Sequence, residues 1–234
     1  MHHLQKNKIT LWVTMFAIAM GLLECAVVIY LRELYYKDGF QFPLRTMPAF
    51  LGKVEVWREA ATILMLIATG ILAGNSKLNR FAYFVYSFAI WDLFYYIFLY
   101  IFIGWPQSLS TWDILFLIPA PWIGPVWAPC LLCMIMITGS LYIIHQPDES
   151  PVKINAIHWT LMIGGACVCI LSFMWDYLLL QSSTLNIWNM FSSELLFTGL
   201  QTYIPETFNS GLFFSGFMLM CLSIILSIYK TKYA

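Results

Sequence analysis

The sequence predicts an all-α integral membrane protein, a bundle of six transmembrane helices that forms one domain over residues 1–234. Three observations lead to this prediction. Apolar residues make up 61% of the chain and charged residues 10%, whereas soluble domains are about half apolar and about a quarter charged. The mean hydropathy is +0.76. Several apolar runs also exceed the roughly 18 residues that mark a membrane-spanning helix.

Six apolar runs are interpreted as the spans. The first run follows Lys6 and Lys8, as a signal peptide would, but it lacks a small-x-small cleavage site and is too long for a signal-peptide core. We therefore expect it to be retained. Span four contains Pro125 and Pro129 near its start, which predicts an irregular first turn covered by protein or water. The predicted spans are 10–31, 54–74, 81–104, 122–144, 158–180 and 211–229.

Basic residues are distributed unevenly among the connections, and this predicts the orientation. Both termini and the 2–3 and 4–5 connections contain basic residues, the 3–4 and 5–6 connections contain none, and the 1–2 connection mixes both signs. Because basic residues stay preferentially on the cytoplasmic side, we expect cytoplasmic termini in a multi-pass protein of the cell membrane. The basic residues assigned to the cytoplasm are Lys6, Lys8, Lys77, Arg80, Lys153, Lys230 and Lys232.

The outward connections are too apolar to be ordinary solvent loops. In the 3–4 connection, Ser110 and Asp113 have the spacing of a capping box, which predicts a short helix. In the 5–6 connection, Ser192 and Glu194 could open another helix, and Trp188 suits the aromatic belt of a membrane interface. We expect short interfacial or re-entrant helices in both connections, forming a lid over the bundle.

A Trp-Asp pair occurs three times in the chain. Asp113 is interpreted as a helix cap, and Asp176 lies near the outer end of span five. Asp92 lies near the middle of span three, where a lone carboxylate costs about 2.5–3.5 kcal/mol. We therefore expect Asp92 to face the inside of the bundle or a polar cavity. The pairs are Trp91-Asp92, Trp112-Asp113 and Trp175-Asp176.

Carboxylates are predicted to gather in the outward half of the bundle, because spans one, two, three and five each point an acid toward that half. Arg58 is the first candidate partner for Glu24 or Asp92, and Arg32 and Arg45 are alternatives. Two tyrosines follow Asp92 by three and four positions, so they share its side of the helix. The predicted ligand-binding residues are Glu24, Glu55, Arg58, Glu59, Asp92 and Tyr96.

This excess of acids favours the binding or transport of a cation or of a small polar or amphiphilic molecule. Two alternatives stay open. The chain could be a membrane enzyme that acts on a lipid or isoprenoid by carboxylate acid-base chemistry. It could also be an accessory subunit of a larger membrane complex, in which the charges only hold helices together. The last alternative predicts an apolar surface groove and no enclosed cavity.

Other classes of partner are disfavoured. The net charge is zero, which leaves no basic patch for nucleic acid. Cys130 and Cys133 have CxxC spacing but lack the strand-helix context of a redox motif, so we expect them to pack in the bundle. His145 and His158 fall at the cytoplasmic interface. We expect no resident metal or cofactor; the expected partner is the lipid bilayer, with a homo-oligomer or a larger membrane complex as further candidates.

A weak internal repeat has an offset of 76 residues. Residues 77–79 match 153–155, and 108–113 match 184–189. The matches suggest duplicated two-helix units of the kind found in transporters. The simpler interpretation is that Lys often precedes a span and Trp often marks an interface, and Asp92 and Asp176 do not align at this offset.

Overall fold

Six long apolar helices dominate the fold, as the sequence predicts. The computed structural model describes residues 2–36, 39–147, 152, 154–181 and 199–232. Within these ranges, six helices are long and apolar enough to cross a membrane. The helices are α1 (His2–Tyr35), α2 (Ala49–Ala73), α3 (Lys77–Ile103), α4 (Trp127–His145), α5 (Ala156–Gln181) and α6 (Ser210–Lys232).

The helices α1 and α2 extend beyond their predicted spans. Hydropathy marks only the part of a helix that suits lipid, whereas backbone hydrogen bonding continues into polar flanks. Thus α1 begins before Lys6 and continues past Arg32, and α2 begins at Ala49 instead of residue 54. At the start of α3, the Ser76 hydroxyl caps the helix by accepting the Asn79 N–H at 3.2 Å.

The connection between α3 and α4 contains a β-hairpin, so the predicted short helix there is wrong. Strands β1 (Trp112–Phe116) and β2 (Trp122–Pro125) pair antiparallel, with Asp113 opposite Gly124. Aromatic and branched residues in β1 favour a strand. Ser110 lies in a turn closed by the Thr111 N–H on the Ser108 carbonyl, so the capping-box spacing does not open a helix. For the same reason α4 begins at Trp127, not at residue 122.

The hairpin lies buried between two groups of helices. In one group, α3 packs against α1, α2 and α4; in the other, α5 packs against α6. Phe116 of β1 packs into the first group, whereas Ile123 of β2 packs with Tyr177 and Tyr203 on the other side. Protein covers most of this non-helical backbone, with Ile118 and Pro119 in the turn exposed, and such cover is the condition under which a membrane protein tolerates it.

Two glycines allow the close approach of α5 and α6. A Cβ atom on Gly165 would lie 2.6 Å from the Gly216 carbonyl oxygen, and a Cβ on Gly216 would lie equally close to the Gly165 oxygen. Contacts this short are sterically forbidden, so the two backbones can meet here only without side chains. Small residues serve the same purpose in many membrane helix pairs.

The N-terminus and the end of α4 share one end of the bundle. Lys6 donates from Nζ to the Gln146 carbonyl at 2.7 Å, and Asn7 Oδ1 lies 3.2 Å from His145 Nε2. The predicted helix at Ser192–Glu194, Trp188 and the 184–189 half of the repeat lie outside the described residues. Which end of the bundle faces the cytoplasm stays a prediction.

Candidate functional site

All six predicted ligand-binding residues line one cavity of about 160 Å³. The helices α1, α2 and α3 form its walls, β1 closes one side, and the connection between α1 and α2 contributes further residues. The cavity therefore brings together acids from three helices that are distant in sequence. The predicted residues on its wall are Glu24, Glu55, Arg58, Glu59, Asp92 and Tyr96.

Arg58 bridges two of the acids. Its Nε donates to Glu55 at 2.8 Å, one turn earlier on α2, and its Nη1 donates to Glu24 on α1. The predicted partners of this arginine are Glu24 and Asp92, and it contacts Glu24. The ion pair neutralises the guanidinium and joins α1 to α2 inside the bundle.

The Glu59 carboxylate accepts a hydrogen bond from the protein backbone. Both of its carboxylate oxygens accept the N–H of Leu117, at 3.1 and 2.9 Å. Leu117 directly follows β1, so this contact ties the hairpin to α2. Glu59 is 8% exposed, and a buried N–H without an acceptor would be costly. This carboxylate therefore has a positioning role that hydropathy and spacing do not reveal.

Asp92 has a weaker partner than the other acids. The Cys133 thiol donates to its Oδ2 at 3.2 Å, and a thiol is a weak hydrogen-bond donor. Arg58, its predicted partner, is engaged by the two glutamates instead. No ion pair to Asp92 occurs in the described part of the chain. Cys133 thus belongs to the site through its hydrogen bond, while the CxxC spacing itself has no evident role.

Asp113 is a buried member of the site and not a helix cap. It is 2% exposed; the Tyr96 hydroxyl donates to it at 3.1 Å, and Arg32 Nη2 lies 3.8 Å away. Burial raises the pKa of Asp113 from 3.8 to about 6, although the Arg32 charge and the hydrogen bonds from Ile114, Tyr96 and Tyr95 act in the opposite direction. Sequence reasoning missed this residue because its spacing to Ser110 suggested a cap.

Arg32 is held by aromatic rings as well as by Asp113. Its guanidinium carbon lies 3.8 Å from the centre of the Trp105 ring and 4.7 Å from that of Phe40. Such stacking favours a desolvated guanidinium. The arginine therefore closes one end of the cavity from the α1 side, next to the connection between α3 and α4.

Trp91 contributes a hydrogen-bond donor without an acceptor. The residue is 5% exposed and lines the cavity. Its indole Nε1 is buried, and the described residues offer it no hydrogen-bond partner. Buried indole N–H groups usually have a partner. Trp91 therefore brings a buried N–H without a partner among the described residues to the wall of the cavity.

The charges around the cavity do not cancel. Five carboxylates and three guanidinium groups line it, so the ionised cavity carries an excess of negative charge. Seven aromatic side chains line it as well, which gives an apolar wall around the charged groups. The aromatic residues are Tyr35, Tyr36, Phe40, Trp91, Tyr95, Tyr96 and Phe116.

The third Trp-Asp pair lies elsewhere. Asp176 on α5 accepts a hydrogen bond of 2.7 Å from the Tyr203 hydroxyl, and it does not line the cavity. Burial and the bond to this carboxylate raise the pKa of Tyr203. The repeated dipeptide therefore marks three different environments, of which two, at Asp92 and Asp113, belong to the site.

In the described ranges, no group of three or more His, Cys, Asp and Glu side chains is arranged to hold a metal ion. Comparison of the chain with protein-family models, with curated proteins and with solved structures finds no match.

Proposed function

We propose that the chain binds a small amphiphilic cation, an organic ammonium attached to an apolar body, in the carboxylate cavity. The observation that carries the proposal is Asp92, which lines the cavity with a thiol as its hydrogen-bond donor and forms no ion pair with any of the described residues. Burying an ionised carboxylate without a counter-charge is costly. A bound ammonium group would supply that charge.

The other acids of the cavity have protein partners of their own, which leaves Asp92 as the candidate for binding a ligand. Arg58 holds Glu24 and Glu55, Leu117 holds Glu59, and Arg32 and Tyr96 hold Asp113. We propose that these groups form a fixed polar frame and that Asp92 is the group that binds the cation. Trp91, with its unpartnered N–H, would bind an acceptor atom on the same ligand.

An organic cation suits this cavity better than a bare divalent ion. A divalent ion such as Ca²⁺ takes about 6–8 oxygen ligands, whereas most carboxylate oxygens here already accept hydrogen bonds or ion pairs from protein. The aromatic walls favour an apolar body and can interact with an ammonium group through their ring faces. The size is also appropriate, because an apolar cavity of about 150 Å³ holds a benzene molecule.

Binding of this kind is the first step of either recognition or transport. With both termini in the cytoplasm, the cavity would lie in the outward half of the cell membrane and would receive its ligand from outside. The alternative of charges as structural glue accounts for Arg58 and Arg32 with their acids. It leaves Asp92 with only a thiol as partner and the Trp91 N–H with none among the described residues, and for this reason we favour the ligand site.

The experiment compares a cation with its neutral analogue on the full-length protein in lipid nanodiscs. The probes are 2-phenylethylammonium and 2-phenylethanol, measured by calorimetric titration and by the shift in thermal unfolding. We expect the cation to bind at least tenfold more tightly, and Asp92→Asn to remove this preference. Asp176→Asn makes the same chemical change outside the cavity and should leave the preference intact. Equal binding of both probes to the unaltered protein would refute the proposal.

A further inference from the structure

A second cavity of about 160 Å³ lies between the two groups of helices, and it shares no lining residue with the carboxylate cavity. It is placed near the beginnings of α3 and α5 and the ends of α4 and α6. Its walls are largely apolar, with Phe81, Val85, Met162 and Ile224 among them. Each of the four helices contributes to this cavity, so it belongs to the seam of the bundle and not to the surface of a single helix.

One polar residue that lines this cavity, His158, has a buried ring nitrogen without a partner among the described residues. His158 is 5% exposed and lines the cavity, and its Nε2 atom is buried without a hydrogen-bond partner in the described part of the chain. In an apolar environment, an unpaired ring nitrogen is unfavourable because it has lost its bond to water. A bound molecule could supply the partner that the described residues do not provide at this position.

The other face of the imidazole is fixed by Asn155. The Asn155 backbone N–H donates to His158 Nδ1 at 3.2 Å, and the His158 backbone N–H donates to Asn155 Oδ1 at 3.2 Å. This is the reciprocal arrangement of a capping box, with His in the place of the usual Glu. Asn155 Oδ1 also contacts the same ring nitrogen. The capping contacts hold the ring in place and leave Nε2 as its free nitrogen.

The serines around the cavity are already engaged with backbone. The Ser140 hydroxyl donates to the Met136 carbonyl at 2.6 Å, and the Ser223 hydroxyl donates to the His158 carbonyl at 2.8 Å. Ser227 donates to the Ser223 carbonyl at 2.8 Å. These hydroxyls support the helices, whereas the buried His158 Nε2 has no hydrogen-bond partner among the residues that the structure describes.

We infer that this cavity binds a small uncharged alcohol with a hydrocarbon body of about one ring, taken up from the membrane. The hydroxyl pairs with His158 Nε2 and the body fills the apolar space. A hydroxyl can both donate and accept, so it satisfies this nitrogen in either tautomer of the ring. The volume, close to the roughly 150 Å³ that holds benzene, excludes a whole lipid chain. The inference does not depend on the function proposed for the carboxylate cavity.

The test uses the full-length protein in nanodiscs and two probes of nearly equal shape. Cyclohexylmethanol carries the hydroxyl, and ethylcyclohexane has a methyl group in its place. We expect the alcohol to bind at least tenfold more tightly, as measured by ligand-observed NMR titration. Equal binding of the two probes, or binding of neither, would overturn the inference.

A variant locates the hydroxyl contact. In His158→Gln, the Gln side chain can still accept the Asn155 N–H as a capping-box residue does, but the ring nitrogen in the cavity is gone. We expect this variant to lose the preference for the alcohol, whereas Ser140→Ala should retain it. An unchanged preference in His158→Gln would contradict the inference.

Photolabelling of the unaltered protein tests the same inference even if His158→Gln does not fold. A diazirine analogue of cyclohexylmethanol should label peptides of α3 to α6 that line the cavity, and excess alcohol should suppress this labelling. Labelling confined to other parts of the protein would overturn the assignment. Asp92→Asn should not alter the labelling, because Asp92 belongs to the other cavity.

Discussion

Glu59 on α2 accepts the backbone N–H of Leu117 with both carboxylate oxygens, at 3.1 and 2.9 Å. This contact connects a membrane helix to the end of strand β1 across 58 positions of sequence. Antiparallel pairing leaves the N–H groups at a strand end without partners, and Glu59 supplies the acceptor for one of them. The acid therefore determines where the hairpin rests on the carboxylate cavity.

Removing this acceptor should destabilise the protein. We expect Glu59→Ala to lower the free energy of unfolding by about 1–3 kcal/mol, the usual cost of leaving a buried donor without a partner. Glu59→Gln keeps an oxygen acceptor and should cost less. Denaturant titration of the detergent-solubilised protein measures both. An equal loss in the two variants would show that the carboxylate charge, and not the bond to Leu117, is what matters.

Replacing Arg58 alone should lower the unfolding free energy more than replacing Arg58 together with both of its glutamate partners. Arg58→Met leaves Glu24 and Glu55 without their cation, and we expect a loss of roughly 1–3 kcal/mol. Fully buried pairs lose about 3–5 kcal/mol, but 23% of the Arg58 side chain is exposed. Adding Glu24→Gln and Glu55→Gln should recover part of the loss.

The control for Arg58 is Lys53→Met on the same helix. Lys53 is exposed, so its replacement should leave the unfolding free energy nearly unchanged. If the triple variant is less stable than Arg58→Met alone, the acids have favourable partners other than Arg58. That result would contradict the ion-pair account of this part of the cavity wall.

Asp113 should make stability depend on pH. Because its pKa is raised to about 6 in the folded protein, the folded state holds this proton more tightly than the unfolded state. The stabilisation is fully present below pH 4 and is lost as the pH rises through about 6. Relative to Asp113→Asn, the unaltered protein should lose at most about 3 kcal/mol of stability between these limits. A pH-independent difference between the two proteins would contradict this account.

Gly165 and Gly164 provide a matched pair for helix packing. Gly165→Ala places a Cβ 2.6 Å from the Gly216 carbonyl oxygen, whereas a Cβ on Gly164 meets nothing within 4 Å. We expect the first substitution to destabilise the α5–α6 pair by about 1–3 kcal/mol, as overpacking does. The second should be nearly neutral. Unfolding midpoints in detergent compare them directly, and equal effects would contradict the close approach of the two backbones.

Long apolar segments predicted the helices well, because each span must satisfy its backbone within itself and therefore has a length set by the membrane. The same reasoning brought together Glu24, Glu59 and Asp92, since acids at one depth on neighbouring helices meet. The hairpin was not predicted because the spacing of Ser110 and Asp113 suggested a helix cap and the apolar residues from 122 onward were assigned to span four. Burial between helices, which the local sequence does not encode, makes a strand pair favourable there.

The details of the site depend on contacts between distant residues. Leu117 for Glu59, Cys133 for Asp92 and Arg32 for Asp113 are each separated by 41 or more positions of sequence. Single-sequence patterns report neighbours within a helix turn or a strand pair, so such partners cannot be deduced from them. The unpartnered nitrogens of Trp91 and His158 likewise become visible only once the surrounding side chains are in place.

The position of the hairpin in the chain has a consequence for biosynthesis. Its polar anchors, Arg32, Glu59 and Tyr96, all precede it in sequence, whereas the α5–α6 pair follows. Because synthesis proceeds from the N-terminus, Asp113 and Leu117 leave the ribosome when their partners have already been made. The hairpin can therefore dock onto α1, α2 and α3 first, and α5 and α6 then cover its other side. The order of the elements along the chain thus lets the polar groups of the hairpin meet their partners before the last two helices are made.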